Sequence, residues 1–77
     1  GLGGHPPLNT EKIQETFKHD IKDIINESIA HEKKAIDAYY ELLKEVENKS
    51  IALEEYCRTM ICAEEQDYNE MIKMLNE

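Results

Sequence analysis

The sequence has no tryptophan, one phenylalanine and two cysteines, and its three glycines and two prolines all fall within the first seven residues. Beyond that opening nothing breaks the chain as glycine and proline do, so long helices are expected. Long apolar runs are also missing. None approaches the roughly 18 residues that a membrane span needs, and no leader of charged, apolar and small residues reads as a signal peptide; a cytoplasmic protein is the expectation. Positive charge is scarce, with 9 Lys and Arg against 17 Asp and Glu and a net charge of −8. That balance argues against nucleic acid, whose phosphates call for clustered Lys and Arg, and it suits cations or plain solubility. Cys57 and Cys62 lie five apart on one helix and point in different directions, a geometry that argues against a disulfide between them. No zinc spacing is present, and we expect Cys57 to be a buried small hydrophobe and Cys62 an exposed thiol. Gly-rich phosphate loops and Ser/His/Asp orderings are lacking too.

What the chain does have is two long apolar stripes, each interrupted by a glutamate. At about 100° per residue, Ile21, Ile25, Ile29, Ile36, Tyr39, Leu43 and Val46 fall within roughly 60° of Glu32. Ile24, Ala35, Tyr40 and Leu42 flank that face, while Glu27, Lys33, Lys34, Asp37, Glu41, Lys44 and Glu45 point elsewhere. Around Glu64 the same projection gathers Leu53, Cys57, Met60, Ile61, Tyr68, Met71 and Leu75 within about 60°. Asp67 lies one turn on, near the edge of the stripe, whereas Glu54, Glu55, Arg58, Glu65, Gln66, Glu70 and Lys73 take other directions. Glu32 and Glu64 each stand sixteen residues from Asn48. A short turn there makes antiparallel neighbours of the two helices and brings the two carboxylates level.

The expected architecture is therefore all-α, an antiparallel two-helix hairpin. Residues 1–7 (Gly-Leu-Gly-Gly-His-Pro-Pro) read as a connector. The first helix has two candidate starts, one near Thr10 capped by Asn9 or Thr10, the other near Asp20 capped by Thr16 or Asp20. We accordingly divide the chain into a connector segment at 1–17, with room for a short helix, and a hairpin at 18–77. The first helix runs to about Glu47, the turn uses Asn48, Lys49 and Ser50, and the second helix runs from about Ile51 to about Leu75, capped by Ser50 or Asn48. At 77 residues, two helices cannot bury stripes this wide by themselves. A partner hairpin is expected, either further helices of a longer polypeptide or a second copy that makes a homo-oligomer.

An ionised carboxylate in an apolar face costs several kcal/mol unless it is compensated, and a second one at the same level pushes one pKa upward. Three resolutions exist: a shared proton, polar partners such as Tyr39, Tyr40, Tyr68, Ser28 or His31, or a bound cation. For the last, Glu64 and Asp67 at i and i+3 face nearly the same way and Glu32 arrives from the other helix. Three oxygen donors make half a shell for a hard or borderline cation such as iron or manganese. His31 projects about 100° from Glu32 and reads as a rim residue, and His5 and His19 read as solvated. Met60, Met71 and Met74 read as core or flank positions rather than haem ligands.

Glu32-x-x-Ala35-Ile36-x-x-Tyr39, followed after a turn by Glu64-Glu65-x-Asp67, resembles the third and fourth helices of the bacterioferritin branch of the ferritin-like superfamily. Leu2-Gly3-Gly4-His5-Pro6 is similar to the crossover that precedes that family's third helix. The resemblance covers essentially all of this chain but only the second half of a family member. It implies half of a four-helix bundle around a di-iron centre, built from a glutamate on each of two helices and a Glu-x-x-His on each of the other two. By position Glu32 matches the bridging glutamate of the third helix and Glu64 the glutamate of the fourth helix's motif. Asp67 stands where the histidine would be. The metal ligands implied are thus Glu32, Glu64 and Asp67, the cofactor iron (or manganese or another divalent cation), and the function iron binding and storage, with ferroxidase activity belonging to the assembled bundle. No haem is implied, because the helices that would carry its methionine have no counterpart here. The alternative is a helical oligomerisation module whose site has decayed and holds no metal.

Overall fold

A computed structural model describes residues 10–77; the Leu-Gly-Gly-His-Pro connector and His5 lie outside them. Helix α1 runs without interruption over Thr10–Val46, 37 residues, and α2 over Ile51–Leu75, 25 residues. Of the two starts left open by the sequence, the earlier is the one observed, and residues 10–17 belong to α1. At 1.5 Å per residue α1 is about 55 Å long and α2 about 37 Å. Among the described residues no helix is long and apolar enough to cross a membrane.

The reversal between the helices is built from backbone groups that a helix end leaves unpaired. The carbonyl of Val46 accepts from the amides of Lys49 (2.9 Å) and Ser50 (3.1 Å). Asn48 takes the left-handed conformation, φ 65°, which asparagine tolerates better than most residues. Ser50, extended at φ −148° and ψ 108°, caps α2 by accepting the Leu53 amide on its hydroxyl at 3.2 Å.

Glu54 departs from the sequence reading, which assigns it to a solvated face. It is half-buried, and one carboxylate oxygen accepts the Asn48 amide at 3.1 Å. Its other oxygen accepts from Arg58 at 3.3 Å, and Arg58 also reaches Glu47 at 3.6 Å. Charged side chains thereby clasp the turn from the α2 side. Helical periodicity gives a direction around the axis and says nothing about a long side chain that reaches past the helix end.

The two stripes meet along the seam. Ile25, Cys57 and Ile61 are buried, with Cys57 wholly inaccessible and free, and Cys62 is an exposed thiol. Ile29, Ala35, Ile36, Tyr39, Leu43, Val46, Met60, Tyr68, Met71 and Leu75 are half-buried. The Tyr39 and Tyr56 rings meet edge to face with centroids 6.3 Å apart, a favoured aromatic geometry. Toward the start of α1 the apolar side chains are exposed: Ile13 and Phe17, past the level of the end of α2, are 55% and 63% exposed, and Ile21 and Ile24, level with its last turn, 46% and 62%.

Asn48→Ala is expected to lower stability by about 1 kcal/mol, because alanine keeps the β-carbon that crowds the left-handed region and loses the short polar side chain that lets asparagine tolerate it, while Asn48→Gly leaves stability unchanged or slightly raised. Chemical denaturation of the two variants checks this; equal midpoints for Ala and Gly would show that the turn relaxes without cost.

Candidate metal centre

Glu32 lies between Ile29 and Ile36 on the inner face of α1, and Glu64 lies between Ile61 and Tyr68 on that of α2. The turn-centred register sets them across the seam from one another, and the i, i+3 spacing adds Asp67 to the same side. One carboxylate oxygen from each of Glu32, Glu64 and Asp67 can be chosen so that no two are more than 4.8 Å apart. Glu32 and Glu64 are half-buried and Asp67 is exposed. The structure thus brings together all three residues singled out in the sequence.

Their surroundings offer little compensation. Among the described residues none of the three takes part in a hydrogen bond or an ion pair. Ser28 and Tyr68 are half-buried one turn away, yet neither donates to the carboxylates. His31 is exposed and outside the cluster. His19, also exposed, lies 3.6 Å from Asp23 and 3.9 Å from Asp20. Among the described residues no half-buried side-chain oxygen is both sealed from solvent and unpartnered, so solvent reaches the unpaired oxygens of Glu32 and Glu64.

Tyr40 is one of the candidate donors to a stripe carboxylate, but its partner is Glu65, to which it donates at 2.8 Å. Sequence reasoning places Glu65 on a solvated face and misses this bond. Tyr40 is eight residues before Asn48 and Glu65 seventeen after it, so level-matching alone keeps them apart. Side chains on a helix lean toward its N-terminus, and in an antiparallel pair that tilts Tyr40 and Glu65 toward each other. Beside this bond Lys33, Ile36, Asp37, Tyr68 and Asn69 line an open groove of about 390 Å³. The carboxylate trio is not part of that lining.

Whether a cation fits is decided by the chemistry and spread of the donors. Two oxygens on one ion lie at most twice the metal–oxygen distance apart, about 4.2 Å for a small dication and about 5 Å for a calcium-sized one. A spread of up to 4.8 Å lies within the limit for a calcium-sized ion and above that for a small dication, which needs the three oxygens drawn closer; the donors come from two helices, with no competing protein donor among the described residues. The residues fit a cation. A family model described as a ferritin-like domain matches the chain over residues 1–77.

The chain belongs to the ferritin-like family. Two packed helices joined by a short turn, with strands absent among the described residues, agree with that membership. At the level of the family the function is tied to iron. No curated protein and no solved structure matches this ferritin-like chain.

Two phenols of this ferritin-like hairpin have their pKa values raised above the ordinary 10.0: Tyr40 first by its hydrogen bond to Glu65, then by burial and the Glu65 charge, and Tyr39 first by its contact with the Tyr56 hydroxyl, then by burial and by the charges of Tyr56 and Cys57. A phenol raised on folding stabilises the fold fully below its unfolded value and loses that contribution as pH rises through the folded one. Melting temperature is therefore expected to fall as pH passes upward beyond 10.0, and to fall less in Tyr40→Phe. Matching slopes for the two proteins would mean that the Tyr40–Glu65 bond does not form in solution.

Proposed function

We propose that this chain supplies the third and fourth helices of a bacterioferritin-related iron-binding and iron-storage protein, with Glu32, Glu64 and Asp67 as its share of a di-metal centre. The observation that carries the reading is the convergence, in a ferritin-like chain, of three carboxylates that have no protein partner among the described residues. Glu32 from α1 and Glu64 from α2 act as anionic ligands held by opposite walls of the seam, and Asp67 adds a third oxygen from its rim. An unpaired carboxylate cluster raises the local concentration of cations, and the apolar residues around Glu32 and Glu64 lower the local dielectric and strengthen their hold. Iron in such a centre supplies exchange between its ferrous and ferric states, and oxidation by dioxygen belongs to the completed bundle.

A second hairpin completes that bundle, either from the same polypeptide or from another copy. Exposed apolar side chains support this partner: Ile13, Phe17 and Ile24 along α1 and Leu53 on α2 are each about half exposed or more, an apolar face of the kind that marks an interaction surface. In the full assembly Glu64→Ala is expected to abolish specific iron loading and to slow Fe(II) oxidation by two orders of magnitude or so, in line with loss of a ligand or its support. Iron content and oxidation rate equal to wild type would refute the site assignment and leave the hairpin as a metal-free oligomerisation element. Native mass is expected to be at least twice that of a single hairpin; a monomer with two helices only would exclude the bundle.

A further inference from the structure

We infer that Asp67 sets the metal preference of the centre, turning it from nitrogen-seeking borderline ions such as zinc, nickel and copper toward oxygen-seeking ions such as manganese(II) and iron(III). The inference rests on the proposed role of Glu32, Glu64 and Asp67 as ligands. All three donors are carboxylate oxygens, and no imidazole or thiolate of the described residues joins their cluster. Imidazole suits zinc, copper, nickel and iron, whereas carboxylate and water suit manganese, magnesium and calcium.

Charge distinguishes within the favoured set: three carboxylates balance the trivalent iron(III), and among the described residues no protein cation pairs with any of them. Asp67 is exposed while Glu32 and Glu64 are half-buried, so the solvent side of the site leaves room for water ligands. Ions that dehydrate reluctantly keep several waters and are held by a few carboxylates. Asp67 is an exposed residue at the edge of the stripe, apart from the buried Cys57 and Ile61.

The test uses the full assembly, stripped of metal and titrated with Mn²⁺ alone and with Zn²⁺ alone. In Asp67→His the preference for Zn²⁺ over Mn²⁺, read as the ratio of dissociation constants, is expected to rise by on the order of tenfold or more, because an imidazole nitrogen replaces a carboxylate oxygen. Asp67→Asn keeps the size of the side chain but loses its charge, and is expected to weaken Mn²⁺ binding by roughly tenfold. If Glu64→Ala weakens Mn²⁺ binding while both Asp67 variants match wild type within about twofold, the site reading stands and this inference falls. If wild type binds neither ion, both fall together. The metal-free melting temperature of each variant confirms that it folds.

Discussion

Register between the two helices is the constraint on which the rest of the molecule depends. Glu32 and Glu64 lie far apart in sequence, and what sets them opposite is the length and conformation of the turn between Val46 and Ile51. That turn is held by the left-handed Asn48, by the paired amides on the Val46 carbonyl and by the Ser50 cap. Glu54 and Arg58 then tie the start of α2 back to the end of α1. Each bond is modest singly, since a net hydrogen bond contributes about 1 kcal/mol. Together they leave the chain few ways to reverse, and the stripes can meet in only one alignment.

Much of the fold was legible because it rests on periodicity. The apolar residues around Glu32 and Glu64 recur at threes and fours, and the seam is made of the same residues, with Cys57 inside and Cys62 outside as their directions require. The start of α1 was not legible, since Thr10 and Asp20 both precede helical pattern and capping chemistry does not rank them. Ile21 and Leu53 project into their stripes yet are 46% and 48% exposed, one near the end of α2 and the other near the turn. Direction around a helix is a local property, and burial depends on what stands opposite.

For the candidate centre, direction and level sufficed to bring Glu32, Glu64 and Asp67 together. The neighbouring hydrogen bonds were harder to read. Glu65 and Glu54 both looked like solvated charges, and both accept a bond from across the chain. Each depends on the lean or reach of a long side chain, which a projection down the axis discards. On the proposed reading the remaining ligands come from the partner hairpin, and nothing in this chain's pattern describes them.

The seam has a consequence for how such a chain can vary. Between Ser50 and Glu64 every residue is helical, and one inserted or deleted there would turn all that follows by about 100° relative to the capped end. A change after Cys57 would leave Cys57 in place while Glu64 and Asp67 swung away from Glu32. Substitutions on the outer face, proline and the turn-clasping Glu54 and Arg58 apart, leave that geometry alone. This stretch therefore records its function in its length more strictly than in its letters, and drift in the lineage should show many replacements on the outside of α2 but scarcely any gaps.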